Sequence, residues 1–186
     1  MTAVPRTRYL VFATIALGGC LVDLATKSWV FAKLGLPGGQ TLWLWPGYIG
    51  LETALNEGAL FGVGQGMVLF FAALSVFALV GILYWLFWMG AANDRLLNLA
   101  LAAVTAGILG NLYDRLGLPG LQWNYPLERV GEPVYAVRDW VLIQWSPDLR
   151  WPNFNIADSL LVVGAGLILW HAYTPEPDDK ADQHSP

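Results

Sequence analysis

The chain has 186 residues, of which 56% are hydrophobic and only 13% are charged. Soluble domains carry about 25% charged residues, so this composition indicates a membrane protein and excludes an ordinary soluble domain. The formal net charge of −4, without a Lys/Arg cluster, excludes nucleic-acid binding, and the single Cys20 excludes an internal disulfide and a cysteine-rich metal site.

Four segments have the length and apolar character of transmembrane helices, which need about 20 residues each. The first, residues 9–32, has to continue through Asp23, because too few uncharged residues precede that acid to cross a bilayer. The second, residues 67–89, contains no charged residue at all. The third and fourth are residues 96–116 and 155–173, and each carries polar residues at one end. We therefore predict a mainly helical membrane protein with four spans.

The number of spans is even, so both termini should lie on one side of the membrane. The two long connections, residues 34–66 and 117–154, then lie on the opposite side. Apolar and polar residues alternate in the first connection, which predicts short strands. The second is rich in Pro, Trp and charges, which indicates a folded loop. We expect residues 1–173 to form one membrane domain, followed by a disordered acidic tail at 174–186.

The N-terminal stretch has a second interpretation. Arg6 and Arg8, an apolar run and then LGGC, ending at Cys20, resemble a bacterial lipoprotein signal with a lipid-modifiable Cys. Removing that segment would leave three spans and delete a helix that the buried acids need as a partner. We therefore expect this stretch to be a transmembrane helix in which Cys20 is a packed thiol.

Three acids, Asp23, Asp114 and Asp158, fall at the same end of the predicted spans. Asp23 can pair with Lys27 four residues later, and Asp114 with the adjacent Arg115, so both have a purely structural explanation. Asp158 has no basic residue within four positions on its own helix. A charged side chain deep in a bilayer costs roughly 3 kcal/mol, so Asp158 needs a distant cation or a second acid with which to share a proton.

Small and amide side chains lie near these acids. Gly107, Gly110 and Asn111 belong to the end of the third span, where glycines permit the close approach of another helix. Asn155 lies on the same helix face as Asp158. Both asparagines are able either to join helices by hydrogen bonds or to support the acid.

Asp139 is the candidate second acid, because it lies in the apolar, β-prone run YAVRDWVLIQW just before the fourth span. Two adjacent carboxyls do not both ionise cheaply, and such a pair hydrolyses amides without a covalent intermediate. The carboxylate takes a proton from water, while the protonated acid polarises the scissile carbonyl and later protonates the amine. The alternative is a solvent-facing Asp139 paired with Arg138 or Arg150.

Five motifs occur in an order that resembles signal peptidase II, the bacterial lipoprotein signal peptidase family. The resemblance extends from about Tyr9 to Tyr173. It implies a membrane aspartyl protease with four transmembrane helices, a small β-cradle outside the cytoplasm and a mobile outer loop or helix. The motifs are DLATK at 23–27, NEGALFG at 56–62, GNLYDR at 110–115, VRDW at 137–140 and FNIADS at 154–159.

The resemblance also implies a substrate and a location. The substrate is a prolipoprotein whose Cys bears diacylglycerol, and cleavage falls just before that Cys. The enzyme would be a globomycin-sensitive monomer in the bacterial inner membrane with both termini in the cytoplasm, contacting membrane lipids and needing no cofactor or metal. The catalytic acids implied are Asp139 and Asp158, and the supporting residues are Asp23, Lys27, Asn56, Asn111, Asp114, Arg115 and Asn155.

The chain departs from the family pattern in its acidic tail and in the connection before Asp139. Arg115 and Asp139 are separated by 23 residues, where the family has a short connection. Asp148 is a second acid in the same segment, but its Ser-Pro surroundings suit a buried carboxyl less well than the apolar run around Asp139.

Other classes of protein fit the sequence less well. An ion- or proton-coupled carrier would use Asp23, Asp114 and Asp158, but carriers commonly have internal repeats and acids near the bilayer midplane. Here no repeat is visible and the acids lie at one end of the spans. A structural subunit gives the acids no purpose, and a di-acid metal site lacks a nearby His or a third ligand.

Overall fold

The computed structural model describes residues 3–58, 64–146 and 148–174, which form four long helices and one small sheet. Within these residues, four helical segments are long and apolar enough to cross a membrane. The helices are α1 (Arg6–Leu34), α2 (Val68–Leu83, continued by a π-helical turn, Tyr84–Trp88), α3 (Arg95–Arg115) and α4 (Ile156–Tyr173), and the strands are β1 (Leu42–Trp45), β2 (Ile49–Asn56), β3 (Val137–Ser146) and β4 (Leu149–Phe154).

The helix ends lie where the sequence supplies the residues that a helix end requires. Helix α1 ends at Gly35, whose φ of 78° lies in the left-handed region and whose N–H donates to the Phe31 carbonyl. Helix α3 begins after Asp94, whose side chain accepts a hydrogen bond from the Leu97 N–H at 2.8 Å. These caps are local, so the sequence alone is sufficient to define them.

Helix α3 lies at the centre of the bundle. In its most apolar stretch 67% of the residues are buried, against 11–17% in the other three helices. Large apolar side chains on the outer helices, such as Leu10, Phe77 and Trp170, are exposed. An exposed apolar belt of this kind is what a lipid-facing surface requires.

Two contacts show which helix ends meet. The Asn98 side chain donates to the Arg8 carbonyl at 3.2 Å, and His171 Nε2 lies 3.5 Å from Asp94 Oδ2. The start of α1, the start of α3 and the end of α4 are therefore together at one end of the bundle. The sheet and the polar site lie at the other.

The sheet is antiparallel with strand order β1-β2-β3-β4. Strand β3 lies against β2 with Asn56 opposite Val137 and Ala54 opposite Asp139. This register brings the end of β2 to the position of Asp139. The sheet is the predicted small β-cradle, and the predicted fold class is confirmed.

The second connection is more ordered than a folded loop. Its C-terminal half forms β3 and β4, because the apolar run around Asp139 pairs with β2 on one side and returns as a hairpin on the other. The tail that we predicted to be disordered lies, from residue 175 onward, outside the described residues.

Candidate active site

Asp158 lies in the first turn of α4, where it takes part in a capping box. The Asp158 backbone N–H donates to Asn155 Oδ1 at 2.9 Å, and the Asn155 N–H donates to Asp158 Oδ2 at 3.2 Å. Each side chain thus satisfies a backbone donor that the helix start leaves free. The local role explains why this carboxylate is tolerated at the mouth of the helix and also holds it in one orientation.

Asp139 lies on β3 and is only 2% exposed. The Asn155 side chain donates to Asp139 Oδ1 at 2.6 Å, and the Asn56 side chain is also hydrogen-bonded to Asp139. The solvent-facing alternative is therefore wrong. The two arginines invoked for it have other partners, since Arg138 pairs with Asp114 at 2.9 Å and Arg150 pairs with Glu52.

Asn111 connects Asp158 to a buried cation. Its side-chain oxygen accepts from Lys27 Nζ at 2.9 Å, and its amide nitrogen donates to Asp158 Oδ1 at 2.8 Å. A Lys ammonium only donates, so it requires the oxygen of the Asn111 amide on its own side and leaves the NH₂ for the carboxylate. Lys27 thereby determines which end of Asn111 the acid meets.

Below the two acids lies a buried ion cluster of four described side chains, two acidic and two basic. Lys27 Nζ is 2.7 Å from Asp23 Oδ2 and 3.0 Å from Asp114 Oδ2. Arg138 donates to Asp114 from Nε at 2.9 Å and from its backbone N–H at 3.1 Å. The predicted pairing of Asp23 with Lys27 is present, whereas Asp114 is paired with Lys27 and Arg138 in place of the adjacent Arg115. Neighbouring helix residues point in different directions, and so Asp114 and Arg115 face different parts of the structure.

Asp23 also connects two helices. Its Oδ1 accepts the backbone N–H of Ala157 at 2.9 Å, which is another of the free donors at the start of α4. The close approach depends on glycine, because a Cβ at Gly110 would collide with Asp23 Oδ2 and one at Gly107 would lie 2.5 Å from the Ala157 carbonyl oxygen. Small residues at the end of α3 therefore allow α1 and α4 to meet there.

Arg115 and Asn56 lie at the edge of the site. Arg115 Nη2 donates to the Gly58 carbonyl at 3.0 Å, and the Gly58 N–H donates to Asn56 Oδ1 at 2.9 Å. The end of β2 is thus tied to the end of α3. The arrangement places the Asn56 side chain beside Asp139.

Both candidate acids line one cavity of about 350 Å³. Asp148, by contrast, is an exposed residue of the turn between β3 and β4 and is absent from the described lining. One part of the wall is polar and the other is apolar. The polar part includes Asn56, Asn111, Arg115, Asp139 and Asp158, and the apolar part includes Ile108, Leu161, Val162 and Ala165.

Burial and the nearby Asp158 charge raise the pKa of Asp139 from 3.8 to about 8. The hydrogen bonds from Asn155 and Asn56 act in the opposite direction but are smaller effects. Asp139 therefore holds a proton at neutral pH. A protonated acid and a second carboxyl in one cavity form the arrangement that non-covalent amide hydrolysis requires.

A model of the family described as signal peptidase (SPase) II matches residues 15–174. The chain belongs to the signal peptidase II family. It is therefore an aspartic-type peptidase, and the family resemblance predicted from the five motifs is confirmed. The carrier interpretation finds no support among the relatives.

Known relatives and solved structures agree with this membership. A lipoprotein signal peptidase of Rhodopirellula baltica is 47% identical over 97% of this chain and 80% of the relative. One from Symbiobacterium thermophilum is 32% identical over 84% and 90%. A solved bacterial membrane enzyme shares the fold with a TM-score of 0.72 at 24% identity, covering 94% of each chain.

In this signal peptidase II family member, sequence reasoning missed two contributions to the site. Arg138, the second cation of the buried cluster, was considered only as a partner for a solvent-facing Asp139. No sequence pattern links it to Asp114, 24 residues earlier. The Asn155–Asp158 capping box did have a signal, since an N-cap residue followed three positions later by an acid is recognisable in sequence.

Proposed function

We propose that this peptidase removes the signal peptides of prolipoproteins whose Cys carries diacylglycerol, cleaving the peptide bond just before that Cys. The observation that carries the proposal is one cavity that holds both a buried Asp139 and the helix-capping Asp158. We assign these two acids as the catalytic pair. The other seven predicted residues, Asp23, Lys27, Asn56, Asn111, Asp114, Arg115 and Asn155, support them.

In the proposed reaction Asp158 is the base and Asp139 the acid. Asp158 takes a proton from water as the water oxygen attacks the scissile carbonyl carbon, while Asp139 gives its proton to the carbonyl oxygen. The tetrahedral intermediate then collapses: Asp158 passes the proton taken from water to the leaving amine, the C–N bond breaks, and a hydroxyl of the intermediate returns a proton to Asp139. One water and one amide yield one carboxylic acid and one amine, and no covalent enzyme intermediate forms.

The neighbouring amides prepare the acids for these roles. Asn111, oriented by Lys27, donates to Asp158 and holds the base in place. Asn155 contacts both acids, through its side chain to Asp139 and its backbone N–H to Asp158. Preorganised donors of this kind lower the barrier because they need no reorientation during the reaction.

The apolar part of the cavity wall supports a lipid-modified substrate. It is formed by α3 and α4, and Val162 is 64% exposed on the outside of the bundle. The cavity is therefore continuous with the surface that faces lipid. A diacylglycerol chain remaining in the bilayer would reach the acids along this wall.

We further propose that the protein acts as a monomer in the bacterial inner membrane, with both termini in the cytoplasm and the site on the outer side. Support comes from the family resemblance and from the helix ends, which place the starts of α1 and α3 and the end of α4 opposite the acids.

The substrate assignment is tested with purified protein and one precursor in two forms, with and without diacylglycerol on its Cys. We expect mass spectrometry to find cleavage before the Cys in the lipid-modified form only, and we expect globomycin to block it. Equal cleavage of the two forms would disprove recognition of the lipid, and an intact modified precursor would disprove the activity.

The raised pKa of Asp139 predicts how activity depends on pH. Activity needs the Asp139 proton, so turnover should fall as pH rises through about 8, with about one site in ten still protonated near pH 9. The same proton is absent from the unfolded chain at neutral pH, so folding stability should also decline between about pH 4 and pH 8. Initial rates on the lipid-modified precursor from neutral pH to pH 9.5 measure the fall in turnover, and unfolding temperatures between about pH 4 and pH 8 measure the decline in stability. Constant turnover up to pH 9.5 would mean that Asp139 is not the acid.

A further inference from the structure

The long connection between α3 and β3 folds into a compact unit of its own. Two backbone hydrogen bonds of 2.9 Å close this unit: the backbone N–H of Trp123 donates to the Glu132 carbonyl, and that of Gly131 donates to the Trp123 carbonyl. The connection therefore doubles back on itself. Val134 is buried at the base of this unit. The connection therefore has a defined conformation.

Arg129 carries the contact from this unit to β2. Its guanidinium carbon lies 4.1 Å from the centre of the Trp123 ring, stacked on the ring face. Nη1 and Nη2 donate to the two carboxylate oxygens of Glu57 at 3.0 and 2.9 Å. Two parallel hydrogen bonds on a stacked guanidinium fix orientation as well as distance. A weaker contact, 3.5 Å from Nε, reaches Glu132 on the same unit.

Glu57 directly follows Asn56, the last residue of β2, which lines the cavity and is hydrogen-bonded to Asp139. The next residue, Gly58, is also held, because its carbonyl accepts a hydrogen bond from Arg115 at the end of α3. Two arginines therefore hold residues 56–58 by hydrogen bonds. Arg115 belongs to the GNLYDR motif, and Arg129 belongs to the connection between α3 and β3.

We propose that Arg129 is a positioning residue of the peptidase that acts through Glu57 to hold Asn56 against Asp139. The inference depends on the catalytic pair proposed above. It gives the connection between α3 and β3 a function, which is to hold the segment that carries Asn56.

A purely structural role for the pair predicts different behaviour. The Arg129 and Glu57 side chains are 34% and 21% exposed, and ion pairs at the surface contribute little to stability. If the pair only stabilises the connection between α3 and β3, its loss should change the unfolding temperature and leave kcat and KM unchanged. If it positions Asn56, turnover should fall while the protein stays folded.

The test compares Arg129→Ala and Glu57→Gln with Glu132→Gln, which removes the other carboxylate near Arg129 without touching β2. We expect the first two to lower kcat by about threefold to tenfold at nearly unchanged KM, and Glu132→Gln to leave both constants as they are. Arg129→Lys keeps the charge and loses the paired hydrogen bonds, so its kcat should lie between that of the wild type and that of Arg129→Ala. The double variant Arg129→Ala/Glu57→Gln should be no slower than either single variant.

The pH profile supplies a readout that loop stability does not affect. The Asn56 hydrogen bond lowers the pKa of Asp139, so loosening Asn56 should move the alkaline fall in activity to higher pH in Arg129→Ala and not in Glu132→Gln.

An unchanged kcat and pH profile in Arg129→Ala would overturn the inference, as would an equal loss in Glu132→Gln. Should Arg129→Ala unfold, Arg129→Lys decides the matter by the same criteria. The catalytic pair is tested separately, because Asp139→Asn must be inactive whether or not Arg129 has this role.

Discussion

Replacing either Asp139 or Asp158 by Asn should reduce cleavage of a lipid-modified precursor by about 10³-fold or more. An amide neither gives up nor accepts the proton that each step transfers, and general acid–base catalysis commonly contributes about 10²–10⁴-fold. The two losses should not add in the double variant, because the acids act as one unit. Single-turnover cleavage followed by mass spectrometry measures the effect.

Both variants should remain folded, which distinguishes lost chemistry from lost structure. Asn has nearly the shape of Asp, and at position 158 its oxygen is still able to accept the Asn155 N–H of the capping box. Asp148→Asn is the matched control, because this exposed carboxyl lies in the turn between β3 and β4. We expect it to retain nearly full activity. If Asp148→Asn is inactive and Asp139→Asn is not, the assigned pair is wrong.

Lys27→Met should have the second large effect, and on stability as well as activity. Lys27 is fully buried between Asp23 and Asp114, at 2.7 and 3.0 Å. Its removal leaves one cation, Arg138, for two buried carboxylates, and breaking a buried pair costs about 3–5 kcal/mol. Asn111 also loses the donor that orients its amide toward Asp158. We therefore expect a lower unfolding temperature in detergent together with a large loss of kcat.

A neutral double variant separates the two effects. Asp23→Asn/Lys27→Met removes one acid with the cation and leaves Asp114 paired with Arg138. It should be more stable than Lys27→Met alone but no more active, because Asn111 is still without its ammonium partner. Lys33→Met, at the exposed end of α1, is the control and should change neither property. Wild-type stability in Lys27→Met would contradict the ion-cluster account.

The two proposed catalytic acids should therefore be held by two sets of contacts, whose loss affects folding stability and turnover to different degrees. The ion cluster holds Asp158 from below through Lys27 and Asn111, and its members are buried, so a defect there should affect folding. The Arg129–Glu57 pair supports Asp139 from the side and is partly exposed, so a defect there should affect mainly turnover. Comparing Lys27→Met with Arg129→Ala in one assay, as unfolding temperature against kcat, tests this division.

The amino-acid sequence alone determined the class of protein and the places where its helices lie. Lipid satisfies no backbone hydrogen bonds, so a chain crosses it in long apolar segments that are visible without a structure. The helix caps at Asp94 and Asn155 are also local, because a cap and its partner are three residues apart, although we recognised both caps only in the structure. The five ordered motifs were enough to indicate the family.

Only the tertiary structure decided how the polar groups are paired. Asp114 joins Lys27 and Arg138 in place of its neighbour Arg115, Asp139 meets Asn155 through the position of β3, and Arg129 meets Glu57 across 72 residues of chain. Each of these contacts depends on how separate elements pack and on strand register. Hydropathy and spacing describe which face of an element is apolar, but they contain no information about which distant charge will lie opposite a given side chain once that face is buried.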